Sequence, residues 1–183
     1  MAFVITNKLI YLALPRTGSM ATERGLEVVY SADRKRVRGF KTKPHHPTLA
    51  ELKEMHPDRV TGNELVITTI RNPLDLIVSW WCLNPALQAR MAFIEFIKTN
   101  KHSHIERDGR LFWLTNDANK LIRFESMVED INAVLVSLSL ETITIPKFNI
   151  TKDKKPFMEY HTQETVQAMW DRWPKDMEIY HEQ

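Results

Sequence analysis

Cysteine is nearly missing from this chain: Cys82 stands alone among 183 residues. One thiol forms no internal disulfide, so a disulfide framework is excluded, and such cysteine poverty fits a reducing compartment, the cytoplasm. Cys82 follows Trp80 and Trp81 in an apolar segment and reads as a packing residue. Long hydrophobic runs are also missing. None approaches the roughly 20 residues that a membrane helix needs. The short apolar start has no basic stretch before a long hydrophobic region, which argues against secretion and makes the sequon Asn149-Ile150-Thr151 a chance match. Charge of one sign is scarce as well, with 25 Lys and Arg against 23 Asp and Glu. The net charge of +2 does not suit a protein that coats nucleic acid. Internal repeats and low-complexity linkers are lacking too, and the length favours one domain over residues 1–183.

What is present is an ordinary globular composition, 43% hydrophobic and 26% charged. Strand and helix patterns alternate. Strands are expected at Leu9–Leu14, Val37–Phe40, Leu65–Ile70 and Leu121–Phe124. Helices are expected at Met20–Tyr30, from Thr48 to Met55, from Pro73 through Trp81, at Met91–Lys98, and from Ser126 to Leu138. Thr48…Glu51 and Ser126…Glu129 are capping-box patterns. Thr162 can cap a last long helix whose Val166, Met169, Trp170 and Trp173 share a face, and Pro174 should end or kink it. This alternation predicts an α/β fold, with a central parallel sheet covered on both faces by helices.

Two stretches carry chemistry. In the first, the strand Leu9–Leu14 runs into Pro15-Arg16-Thr17-Gly18-Ser19 and then a helix. Gly18 permits a tight turn, and the amides of Gly18, Ser19 and Met20 would meet an anion at the helix N-terminus. Arg16 adds charge, and Ser19 and Thr22 can add hydroxyls. Alternatively, this is a plain turn with a helix-capping serine. The nucleotide-binding pattern G-x-x-x-x-G-K-[ST] is not met, because no lysine follows Gly18. In the second stretch, Arg71 leaves the strand Leu65–Ile70, and Ser79 follows eight residues later in the next helix. A guanidinium and a hydroxyl can clamp a phosphate, although Arg71 can instead simply pair with Asp75. Two anion sites behind two strand ends suggest a ligand with two anionic groups. Basic residues also cluster at Arg34, Lys35, Arg36, Arg38, Lys41 and Lys43, and again at Lys147, Lys152, Lys154 and Lys155. Each cluster reads equally as a solvated loop or an anion-binding surface. The pair His102 and His104 lacks further ligands nearby, so no metal site is expected.

Together, Leu14-Pro15-Arg16-Thr17-Gly18-Ser19 and Arg71-Asn72-Pro73-Leu74-Asp75 with Ser79-Trp80-Trp81 resemble the sulfotransferases that use 3′-phosphoadenosine-5′-phosphosulfate (PAPS). Arg123-Phe124-Glu125-Ser126-Met127-Val128-Glu129-Asp130 is similar to a further family segment, and the tail from Lys155 to Tyr180 resembles carbohydrate-type members. The resemblance implies a P-loop-like three-layer sandwich and an enzyme that moves a sulfuryl group to a hydroxyl or amine; the acceptor is left open among a sugar, a peptide tyrosine and a small phenol, with the tail leaning towards a carbohydrate. It implies that Arg16, Thr17, Gly18, Ser19 and Met20 hold the 5′-phosphosulfate, with Arg16 also stabilising the departing charge. By the same resemblance Arg71 and Ser79 hold the 3′-phosphate, and Lys152, Lys154 and Lys155 belong to a basic loop over the nucleotide. The segment Lys41–Thr48 is similar to a stretch of small members that aligns His46 with a histidine. His46 is therefore the first candidate base for the acceptor, His45 the second and Glu23 a weaker third. In-line sulfuryl transfer needs no metal. The chain is short for the family, and Met20 and Ala21 replace its usual threonine or tryptophan after the loop serine. Residues 82–115, with Phe112 and Trp113, would shape the acceptor pocket. Two other readings remain: a nucleotide-dependent phosphotransferase of related fold, and a binding protein that kept the fold but lost turnover.

Overall fold

The computed structural model describes residues 2–5, 7–30, 34–37, 46–99, 115–147 and 154–182, with the backbone alone at 34–37. Among these, contacts group the chain into two compact units. The first is Met1–Ile70 with Trp113–Phe148, and the second is Arg71–Phe112 with Asn149–Gln183.

The first unit holds the sheet. Two short apolar runs, β1 (Ala2–Ile5) and β2 (Leu9–Leu12), pair as an antiparallel hairpin in which Ala2 faces Leu12 and Ile5 faces Leu9. The link between them is too short for the dozen or so residues of a parallel crossover, so the hairpin is forced. Asn7 in the turn takes φ 59, a left-handed conformation that asparagine tolerates better than most residues. The strand β3 (Arg34–Val37) pairs antiparallel with β1. On the other side, β4 (Leu65–Ile70) runs parallel to β2, and β5 (Lys120–Arg123) runs parallel to β4. The five-stranded order is β3-β1-β2-β4-β5.

The fold is thus α/β, with β2, β4 and β5 as the parallel strands. The antiparallel β1 is an addition to the sequence reading, which assigned no strand before Leu9. β3 begins three residues before the expected Val37–Phe40, and residues 38–40 lie outside the described set.

Alternation along the strands feeds both faces. On one face Phe3, Ile5, Leu9, Tyr11 and Ile67 pack with Leu26 of α1 (Ser19–Val29) and with Ile131, Val134 and Leu135 of a helix at Met127–Ser137. On the other, Ala2, Val4, Ile10, Leu12 and Val66 pack on Leu52 of α2 (Leu49–Met55). A helix on each face makes three layers.

Local chemistry sets the helix ends. The expected box at Thr48 is built: its hydroxyl accepts from the Glu51 amide at 3.2 Å, and Glu51 accepts from the Thr48 amide at 2.7 Å. The expected box at Ser126 is not. A 3₁₀ turn at Phe124–Ser126 precedes the helix and leaves Ser126 at φ −116, ψ 19, rather than in the extended conformation that a capping side chain needs. Its hydroxyl donates to Asp130 Oδ2 at 2.5 Å instead.

The loop before β4 is tied down by one carboxylate. Glu64 accepts from the amides of Asn7, Thr61 and Gly62 and from the Thr61 hydroxyl, at 2.9 to 3.1 Å. Burial raises its pKa, but these hydrogen bonds outweigh burial and hold it below the ordinary value. A lowered carboxylate pKa stabilises the fold above the unfolded-state value, and that contribution is lost as pH falls through the folded-state value. Glu64→Gln should therefore cost about 1–2 kcal/mol at neutral pH, read by urea unfolding. The gap to wild type should close in acid; a gap that does not vary with pH would contradict this.

The second unit is helical. It comprises α3 (Pro73–Cys82), α4 (Pro85–Gln88), α5 (Phe93–Thr99), a helix at Gln163–Arg172 and one at Pro174–His181. Its core joins Leu74, Ile77, Trp81, Phe96, Ile97, Met169, Trp173 and Met177. Trp81 and Phe96 meet at 5.1 Å between ring centres. Cys82 lies against this core as a half-buried free thiol. Pro174 ends one helix and starts the next.

Candidate functional site

In the first unit, the segment after β2 reverses direction through two left-handed residues, Arg16 at φ 63 and Gly18 at φ 75. Gly18 is required twice over. Its φ disfavours a side chain, and a Cβ there would lie 3.0 Å from Phe124 Cε2 and 3.1 Å from Met127 Sδ. Gly18 is also the cap position of α1, and no side chain caps that helix. The alternative of a serine-capped turn is therefore not what is built: Ser19 is the first helical residue and is buried. The first amides of any helix have no acceptor within it, and they carry the positive end of the dipole.

The loop is braced from beneath. Thr17 is fully buried and donates its hydroxyl to the Leu14 carbonyl at 3.0 Å. Thr22, expected to offer a hydroxyl, instead donates it to Met127 Sδ at 3.2 Å. Tyr11 and Thr69 bond at 3.1 Å below, and burial pushes the Tyr11 phenol up to about 12. Met20 is 44% exposed, whereas Glu23 is 3% exposed.

His46 lies in the same unit. Its Nδ1 is 2.5 Å from the carbonyl oxygen of Ala13, the residue after β2. A carbonyl only accepts, so Nδ1 carries a proton here, and in the neutral ring that tautomer makes Nε2 the basic atom. His46 and the Pro15–Met20 loop thus both adjoin the carboxyl end of β2.

In the second unit, Arg71 precedes α3 and Ser79 lies in its second turn. Asn72 caps this helix by accepting from the Leu74 amide at 2.9 Å, and Pro73 is its first residue. Arg71 pairs with Asp75 through Nε at 2.7 Å and Nη2 at 2.6 Å. The pairing weighed from the sequence is therefore present. Asp75 does more, because its other oxygen, Oδ1, accepts from Lys154 Nζ. All three side chains are largely buried, at 11% exposure for Arg71, 14% for Asp75 and 17% for Lys154. Ser79 is buried one turn further on. Lys155 is exposed and bonds to Tyr160 only through its backbone. Lys154, not its neighbour, thus reaches the arginine's carboxylate. Nothing in the spacing singled it out, because the partners are 79 residues apart.

His45 and Lys152 lie outside the described residues, as do Phe112 and Trp113. Among the described residues, no cluster of His, Cys, Asp and Glu could hold a metal ion, and no helix is long and apolar enough to cross a membrane.

No protein-family model matches the sequence, and no curated protein sequence matches it. Among solved structures, the crystal structure of a sulfotransferase from Alicyclobacillus acidocaldarius is similar, with a TM-score of 0.54 over 97% of this chain and 96% of that one, at 11% sequence identity. The chain shares the α/β fold of that protein.

Proposed function

We propose that the chain works as one sulfotransferase domain, moving a sulfuryl group from PAPS to a hydroxyl or amine, with a carbohydrate hydroxyl as the favoured acceptor. The observation that carries this reading is the Pro15–Met20 loop, where the cap of α1 is a left-handed glycine with no side chain and the first helical amides follow a parallel strand. Phosphate and sulfate groups suit such a helix start. The fold likeness to a sulfotransferase and the spacing of Arg71 and Ser79 about the start of α3 support it. In this reading the acceptor oxygen attacks sulfur, its proton passes to His46 Nε2, and the bond from sulfur to the bridging oxygen breaks. The electron pair leaves with 3′-phosphoadenosine-5′-phosphate, whose growing charge Arg16 offsets.

The test is transfer of label from ³⁵S-PAPS to a panel of saccharides, phenols and amines. Labelled saccharide supports the reading in full, labelled phenol or amine corrects the acceptor, and no labelled product with any class contradicts it.

A further inference from the structure

We propose that Asp75 is a positioning residue that fixes Arg71 and Lys154 as a paired clamp for a phosphate dianion, with Lys154 as a binding residue beside Arg71. The proposal rests on the functional reading above for the identity of the phosphate, the 3′-phosphate of the donor nucleotide. Its structural basis is the way one carboxylate is shared. Oδ2 accepts from Arg71 Nε and Nη2, while Oδ1 accepts from Lys154 Nζ, so the two cations take separate oxygens of one rigid group. They come from the two separate segments of the second unit, Arg71–Phe112 and Asn149–Gln183, and Asp75 bonds to both.

Burial makes the arrangement costly as mere scaffolding. Three charged side chains are held at 11%, 14% and 17% exposure, where apolar residues of similar size would serve stability as well or better. The helix itself does not need the triad: Asn72 and Pro73 start α3, and Leu74, Ile77 and Trp81 anchor it in the core. Ser79 lies one helical turn beyond Asp75, on the same side of α3.

A role in charge and a role in position predict opposite results for Asp75→Asn. Were Asp75 only a negative charge beside the phosphate, its removal would tighten phosphate binding. As a positioning group, its loss lets Arg71 and Lys154 separate and weakens binding. The experiment is calorimetric titration of the full chain with 3′-phosphoadenosine-5′-phosphate and with adenosine 5′-phosphate, for wild type, Asp75→Asn, Lys154→Ala, Arg71→Ala and the Asp75→Asn, Lys154→Ala double variant. The readout is the ratio of the two dissociation constants, which a general loss of folding does not move. Asp75→Asn and Lys154→Ala should each cut the wild-type preference for the 3′-phosphorylated nucleotide by roughly tenfold or more. The double variant should be little worse than either single one, because both remove the same clamp. Preference unchanged or increased in Asp75→Asn, or additive losses, overturns the proposal. If Arg71→Ala alone abolishes the preference, the functional reading stands and the clamp falls. If the wild type shows no preference, both fall.

Discussion

Arg71→Ala should weaken binding of 3′-phosphoadenosine-5′-phosphate by roughly a hundredfold while changing adenosine 5′-phosphosulfate binding by less than about threefold. The asymmetry follows from what the side chain is assigned to hold. A phosphate dianion takes two hydrogen bonds from the edge of a guanidinium, each strengthened by charge, and alanine supplies neither. The guanidinium is already held through Nε and Nη2 by Asp75 and is only 11% exposed, so little order remains to be lost when a ligand binds. The comparison nucleotide lacks the 3′-phosphate and should not register the change. Titration of both nucleotides against wild type and variant decides the matter. Equal losses for the two would mean that Arg71 supports the fold around α3 and not the phosphate.

The second large effect is expected at His46. Its alanine variant should turn over at least about a hundredfold more slowly, with donor binding nearly unchanged. The hydrogen bond from Nδ1 to the Ala13 carbonyl fixes the tautomer, so Nε2 is the basic atom. The variant should also lose any rise of rate with pH that the wild type shows. Initial rates across pH with ³⁵S-PAPS and any accepted substrate give both results. Unchanged turnover would remove His46 from the reaction. The role of base would then pass to His45 or to Glu23, which is 3% exposed.

Legibility in the sequence followed the range of the forces involved. Elements governed by near neighbours in the chain were readable. The β-branched run Leu65–Ile70 is β4 without adjustment, the Thr48 box starts α2, and Asn72 and Pro73 start α3. Features that depend on distant partners were not. β1 is only four residues long and becomes a strand because β2 and β3 pair on either side of it. The Ser126 box has the right residues, but the preceding 3₁₀ turn takes away the backbone conformation it needs.

The candidate site divides in the same way. The places of Gly18, Ser19 and Arg71 after β2 and β4 were legible because spacing after a strand is a local property. The inward turn of the Thr17 hydroxyl, the Thr22 contact with Met127 and the reach of Lys154 to Asp75 are tertiary, and a residue list carries no trace of them. Gly18 shows both levels at once. A turn demands it locally, and the side chains of Phe124 and Met127, more than a hundred residues away, would have to shift to admit a Cβ.

The central claim is that this chain binds a nucleotide bearing separate 5′- and 3′-phosphates. Thermal unfolding of the full chain with and without 3′-phosphoadenosine-5′-phosphate tests it most directly, since a ligand selective for the folded state must raise the melting temperature in proportion to its occupancy. The account predicts a rise that saturates with ligand concentration and exceeds the rise given by adenosine 5′-phosphate at the same concentration. No rise at millimolar ligand, or equal rises for the two nucleotides, would contradict it.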